Sequence, residues 1–304
     1  MDILVSIILV VTGLAMLCYG GNWLVDGGIV IAKRFRISPL IIGMTVVAYG
    51  TSAPELATSL AAGTHGAIVL GNVVGSNIAN IGMVIGIAAI LTPLAIKKRI
   101  VRTVVPIMIG FSLLLVVLSF DGELNIYDGT LLLGLLLAFT IYTYKTTRSM
   151  TKNKQEKIKI DKKSIVKLVF GVALLYVGSI LAVNNMVDIA NDVGISEKVI
   201  GITVLAIGTS LPELVTSIAA IKRGETNIGI GNIIGSNIYN ILMIVGITSI
   251  IFGITVPKSI EFDYIVMMAF GLAMLIAFRG KINMTIGIIL VVAYAMYMLF
   301  LITN

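Results

Sequence analysis

Residues 50–55, GTSAPE, lie in the middle of a long apolar run, and they return as GTSLPE at residues 208–213. One carboxylate therefore stands twice where a hydrocarbon surrounding should exclude it. Aligned over residues 41–59 and 199–217, the two stretches agree at 13 of 19 positions, and a second echo, GNVVGSNIAN at 71–80, recurs as GNIIGSNIYN at 231–240. The chain is thus duplicated, and composition places the duplicated unit in a bilayer. Of its 304 residues, 58% are hydrophobic and 12% charged, whereas about a quarter are charged in a soluble domain. Several apolar segments reach the ~20 residues of a spanning helix, which excludes a soluble core and the short alternating strands of an outer-membrane barrel.

The spacing predicts ten spans near residues 3–32, 40–62, 68–95, 103–120, 126–144, 165–190, 199–221, 227–255, 261–278 and 282–302. With the N-terminus taken as outside, 20 of the 22 Lys and Arg residues fall in inside connections and only Lys198 and Lys258 fall outside. The positive-inside rule expects that asymmetry. The same asymmetry turns the net charge of +7 into a topological signal and argues against a nucleic-acid partner. The acidic start, Met1 and Asp2, lacks the basic region of a cleaved leader, so the first segment is expected to be a retained helix. An offset of 158 superposes the second and seventh spans, and an offset of 160 the third and eighth. Each half (residues 1–144, with its motifs at 41–82, and 165–304, with its motifs at 199–242) then holds five spans. Five is odd, so the halves insert with opposite orientation and one half can rock against the other around a shared site. Residues 145–164 are expected to be a basic cytoplasmic linker, with both termini outside.

Ser52 and Glu55 have the form of a capping box with Pro54 in the first turn, a purely structural alternative. At mid-span, however, Pro54 frees the carbonyl of Gly50, and non-helical backbone at that depth survives only around a cavity or within protein. The broken second and seventh spans therefore point to a cation site. A single Cys18 and a single His65 leave no thiolate or imidazole cluster, so a bound ion must be held by oxygen. Calcium takes six to eight oxygens. Glu55 and Glu213 supply carboxylates, and the carbonyls around Ala48, Gly50 and Thr51, and around Ala206, Gly208 and Thr209, can supply more, with the hydroxyls of Ser52 and Ser210. In the second motif Asn72, Ser76 and Asn80 share a helix face, as do Asn232, Ser236 and Asn240. Ser76, Asn80, Ser236 and Asn240 are expected to face the site, and Asn72, Asn77, Asn232 and Asn237 to bond neighbouring helices. Gly71 with Gly75 and Gly231 with Gly235 read as close-packing pairs. Asp26 and Asp188 are expected to be solvated near the interfaces, and His65 to lie at the surface.

On both motif pairs, GTSAPELATS with GNVVGSNIAN and GTSLPELVTS with GNIIGSNIYN, the chain closely resembles the sodium/calcium exchanger family of the calcium/cation antiporter superfamily. The resemblance covers the chain and implies an all-α membrane protein of ten helices in two inverted five-helix repeats. It implies sodium-driven calcium exchange, typically three sodium ions per calcium, by a protein that works as a monomer without a cofactor. By motif position, Glu55 and Glu213 would hold calcium with the carbonyls of Thr51 and Thr209. Sodium would use these with Ser52, Ser210, Ser76, Ser236 and the carbonyls of Ala48 and Ala206, and Asn80 and Asn240 would face the central position. Relatives often carry an acid where this chain has Asn240, which argues against a potassium requirement, and the large calcium-sensing loop of animal relatives is missing.

Calcium/proton exchange remains an alternative, because a carboxyl at low dielectric can carry a proton in place of sodium. An intramembrane hydrolase fits poorly, since no nucleophile and base pair accompanies the glutamates. A passive channel is disfavoured by the inverted repeat.

Overall fold

The computed structural model describes residues 3–35, 37–96, 100–148, 162–194, 206–275 and 281–303. Its elements are α1 (Ile3–Phe35), α2 (Pro39–Ile42), α3 (Ala48–Thr51), α4 (Ala53–Ala62), α5 (Gly66–Ala79), α6 (Gly86–Leu91), β1 (Leu94–Ala95), α7 (Val105–Leu118), β2 (Glu123–Leu124) and α8 (Ile126–Arg148). They continue with α9 (Lys162–Asp192), α10 (Ala206–Thr209), α11 (Leu211–Lys222), α12 (Thr226–Tyr239), α13 (Gly246–Phe252), β3 (Ile254–Thr255), α14 (Ile260–Ala273), β4 (Lys281–Ile282) and α15 (Met284–Thr303). Wider π-helical turns at Gly43–Val47, Asn80–Ile85 and Asn240–Val245 join α2 to α3, α5 to α6 and α12 to α13.

Among the described residues seven helices are long and apolar enough to cross a membrane, or eight when Pro39–Thr51 and Ala53–Ala62, bent by 43°, count as one. The other two expected spans, 199–221 and 261–278, fall partly on 195–205 and 276–280, outside the described residues. Two departures from the expected boundaries have local causes. The helices at 68–95 and 227–255 stop early, at Leu91 before Pro93 and at Phe252 before Gly253, whose φ of 66° suits a residue without a β-carbon. The freed residues become two-residue strands, and the architecture is all-helical as expected. Helix α8 runs to Arg148 and α9 begins at Lys162, so most of the linker expected at 145–164 falls on residues 149–161, outside the described residues.

Burial separates a centre from a periphery. The Gly66–Leu91 and Thr226–Phe252 spans are 83% and 89% buried, against 22–28% for the other five. A helix that is apolar on all sides must be packed all round, and Val69, Val73, Ile78, Ile230, Ile233 and Ile238 fill that centre. Outside it, Leu4, Val11, Ile289 and Leu299 are exposed, as lipid-facing side chains are.

Contacts between the halves are reciprocal. β1 pairs with β4 (Leu94 opposite Ile282), and β2 pairs with β3 (Leu124 opposite Ile254). At offsets of 160 and 158, β1 corresponds to β3 and β2 to β4, so the two pairs are counterparts. The same holds for α1 and α9, which run antiparallel. A β-carbon placed on Gly13 would lie 2.7 Å from the Gly178 oxygen and the Ala182 nitrogen, and one on Gly20 would lie 2.9 Å from the Gly171 oxygen and the Leu175 nitrogen. Gly13 and Gly20, like their counterparts Gly171 and Gly178, are seven residues apart, so one stripe of each helix lies backbone on backbone. That spacing is visible in the sequence, but it lies outside the repeated motifs on which the sequence reading rested.

Asp26 departs from its expected solvated state. Lys167 Nζ lies 2.7 Å from its Oδ2, and the Arg223 guanidinium donates to its Oδ1 and also to Asn22 Oδ1 (2.6 Å). Side chains from α1, α9 and the end of α11 converge there, and long basic side chains satisfy a carboxylate that the expectation had left to water. Asp188 is exposed, and so is His65, whose Nδ1 lies 2.9 Å from the Ala62 oxygen.

The glycine stripe yields a test. Gly20→Val forces a side chain into the Gly171 backbone and is expected to cost about 1–3 kcal/mol. Gly110→Ala on α7, where an added β-carbon meets no atom within 4 Å, is expected to stay within about 0.5 kcal/mol. Thermal unfolding of the detergent-solubilised variants checks the contrast, and equal losses would refute tight packing at Gly20.

Candidate cation site

Both motif copies break their helix at the same residue. Ser52 separates α3 from α4 with φ −83° and ψ 7°, and Ser210 separates α10 from α11 with φ −87° and ψ 2°. Pro54 and Pro212 sit in the first turn of the following helix, where their missing amide is tolerated. Neither serine makes the side-chain bond of a helix cap. The capping-box alternative is therefore set aside, because Ser52 Oγ crosses to the other half and donates to Glu213 Oε1 at 3.1 Å.

Glu55 and Glu213 are fully buried and close enough to repel each other. Among the described residues neither has an ion pair, and no cluster of three or more His, Cys, Asp or Glu side chains forms. An unpaired buried carboxylate is among the costliest groups a protein can hold. Glu55 Oε1 and Oε2, Glu213 Oε2, Ser210 Oγ, Asn80 Oδ1 and Asn240 Oδ1 are buried with no hydrogen-bond partner among the described residues. Buried polar atoms are nearly always satisfied. Oxygens of this kind in one place have the hardness and number that a sodium or calcium ion requires.

The structure links several of the remaining candidates across the two halves. Ser236 Oγ donates to Glu213 Oε1 at 3.2 Å, and Thr51 Oγ1 lies 3.1 Å from Asn232 Oδ1 and 3.4 Å from Ser236 Oγ. In the mirrored position Ser76 Oγ is 3.5 Å from Thr209 Oγ1. Asn80 and Asn240 open the two π turns, and such wide turns recur at functional sites. The Ala48 carbonyl is not loose as expected: it accepts the Ser52 amide at 3.0 Å and lies 3.2 Å from Thr51 Oγ1. The second copy differs, because the Ser210 amide bonds the Ile207 carbonyl at 3.1 Å.

The supporting asparagines do bond neighbouring helices. Asn72 Nδ2 donates to the Glu55 carbonyl (3.0 Å) and lies 2.9 Å from Ser59 Oγ, while Asn232 Nδ2 lies 3.5 Å from the Glu213 carbonyl and 3.0 Å from Ser217 Oγ. Each thereby ties the polar helix to the turn that carries the carboxylate. Ser59 and Ser217 were missed as partners, although each stands four residues after its glutamate, on the same helix face. Gly231 and Gly235 pack as expected; a β-carbon on Gly235 would lie 2.6 Å from the Met44 Cα. For Gly71 and Gly75 the corresponding partner segment is residues 201–205, outside the described residues.

Comparison with known proteins identifies a family. The family profile described as sodium/calcium exchanger protein matches residues 5–145 and 163–303. The chain is 40% identical over 311 residues to the putative antiporter CaxA of Alkalimonas amylolytica, covering 97% of this chain and 98% of that protein. It is 31% identical to the sodium/calcium exchanger MaX1 of Methanosarcina acetivorans, covering 98% and 99%. Among solved structures it is similar to the sodium-calcium exchanger NCX_Mj soaked with sodium and strontium, with a TM-score of 0.84 and 33% identity over 97% of each chain.

Ser52 is the test of the crossed geometry. Bonds to charged groups contribute about 1.5–3 kcal/mol, so Ser52→Ala is expected to raise the half-saturating calcium concentration about tenfold or more in equilibrium titration of the purified protein. Unchanged binding would show that the crossed bond does not order Glu213.

Proposed function

The chain belongs to the sodium/calcium exchanger family, and from that premise we propose that it is a secondary antiporter that exchanges sodium for calcium across the membrane by alternating access. The observation that carries the proposal is the pair of buried, unpaired carboxylates, Glu55 and Glu213, ringed by unpartnered oxygens from both halves. Two fixed negative charges balance one calcium ion and leave three sodium ions with one net positive charge. Exchange at three to one is then electrogenic, and with Asn at both 80 and 240 it needs no potassium.

In this reading Glu55 and Glu213 hold calcium with the carbonyls of Thr51 and Thr209. Sodium uses these with Ser52, Ser210, Ser76, Ser236 and the carbonyls of Ala48 and Ala206, and the oxygens of Asn80 and Asn240 face the centre. The Ala48 carbonyl keeps one lone pair for the Ser52 amide, so an ion there takes the place of the Thr51 hydroxyl. The architecture we propose is ten spans in two inverted five-helix repeats, residues 1–144 and 165–304, with the linker at 145–164 cytoplasmic, both termini outside and the monomer as the working unit. Its support is the antiparallel packing of the counterpart helices α1 and α9 and the reciprocal β pairs. Two copies related by a twofold axis across the helix axes make contacts of this kind.

Calcium uptake into proteoliposomes tests the function. Uptake should follow an outward sodium gradient, ignore potassium and vanish in Glu55→Gln and Glu213→Gln. Uptake driven equally well by a pH gradient without sodium would establish proton coupling instead, and full transport by either variant would refute the site. Electrogenicity has its own readout. One net charge per cycle is worth about 2.3 kcal/mol per 100 mV, so a clamped change of 100 mV should shift the equilibrium calcium ratio about fiftyfold.

A further inference from the structure

We propose that Asn77 and Asn237 are positioning residues that set the orientation of the Asn80 and Asn240 amides, so that each presents its oxygen and not its NH2 to the transported cation. The inference rests on the reading of Asn80 and Asn240 as cation ligands. A carboxamide is nearly symmetric in shape and opposite in chemistry at its two ends: the oxygen accepts or coordinates, and the nitrogen only donates. An asparagine therefore serves a cation only while its neighbours hold the nitrogen away.

The structure supplies that restraint as a chain of bonds anchored at atoms that cannot turn round. Asn77 Nδ2 donates to the backbone carbonyl of Asn237 at 3.2 Å, and Asn237 Nδ2 to that of Asn77 at 3.5 Å. A carbonyl oxygen can only accept, so each of these amides must face it with nitrogen. The thioethers of Met267 and Met108, also acceptors, lie 3.9 and 3.6 Å from the same two nitrogens. The oxygens of Asn77 and Asn237 consequently point the other way, where each accepts from a ligand asparagine of the opposite half. Asn240 Nδ2 lies 3.1 Å from Asn77 Oδ1, and Asn80 Nδ2 lies 2.9 Å from Asn237 Oδ1. With the nitrogens engaged, Oδ1 of Asn80 and of Asn240 is left buried and unpartnered. All four side chains are at most 2% exposed, so water does not compete for these bonds.

The arrangement is crossed: Asn77 acts on Asn240 and Asn237 acts on Asn80, each across the boundary between halves. That crossing separates positioning from a structural role. Calcium binding is measured by isothermal titration in sodium-free detergent for the parent, Asn77→Leu, Asn240→Ala, Asn80→Ala and the two double variants that contain Asn77→Leu. If Asn77 acts through Asn240, Asn77→Leu and Asn240→Ala each weaken binding about tenfold, and together they are no worse than Asn240→Ala alone within about twofold. Asn77→Leu with Asn80→Ala multiplies to about a hundredfold.

The counterpart set, Asn237→Leu with Asn80→Ala and with Asn240→Ala, repeats the test with the partners exchanged, and it stands in if Asn77→Leu does not fold. A parent that binds calcium while Asn77→Leu and Asn240→Ala multiply overturns the positioning role and leaves the exchanger reading intact. A parent that binds no calcium overturns both.

Discussion

Two carboxylates buried without a basic partner among the described residues are the constraint from which the rest follows. Glu55 and Glu213 are fully buried, and an uncompensated charge in such a place is tolerated only where something positive can arrive. The broken helices, the serines and threonines at their joints and the paired asparagine helices all answer to that requirement. Lys167 and Arg223 engage Asp26 instead, at the edge of the α1 and α9 pair. On the proposed reading, charge neutralisation inside is left to a mobile ion, because a fixed cation would fill the site permanently.

The asparagine quartet joins the two polar helices, α5 and α12, at their most buried stretch. Its members accept from and donate to one another across the halves, which ties the ligand geometry to the contact between them. The simple picture of one half rocking rigidly against the other would have to break these bonds, whereas the backbone stripes of Gly13 and Gly20 against Gly178 and Gly171 lie outside the quartet. The structure thus has a bonded interior and a peripheral helix pair whose contact is made of backbone.

Much of this was legible in the sequence for a physical reason. Lipid permits few polar residues, so each one that persists in an apolar run marks itself, and duplication marks it twice. Glu55, Ser52, Ser76 and Asn80 with their counterparts were found that way. What escaped depended on distance in space. The capping alternative for Ser52 fell away because its partner, Glu213, is 161 residues away. The roles of Asn77 and Asn237 turn on which end of an amide faces which neighbour, and no spacing encodes that. The π turns at Asn80 and Asn240 left no signal either, since Asn-Ile-Gly-Met and Asn-Ile-Leu-Met read as ordinary helix.

The two copies of the site are nearly identical in sequence but not in bonding. Glu213 accepts from Ser52 and Ser236, while the counterpart donors for Glu55 are otherwise placed: among the described residues Ser210 Oγ has no partner and Ser76 Oγ approaches Thr209. On the alternating-access reading proposed above, the asymmetry belongs to the conformation and not to the chain. Exchanging the roles of the halves would release Glu213, hold Glu55 and leave the inventory of bonds unchanged. States with equal inventories lie close in free energy, so modest ion gradients suffice to redistribute the population between them. A duplicated site can in this way be lopsided at every instant and still be even-handed over a full cycle.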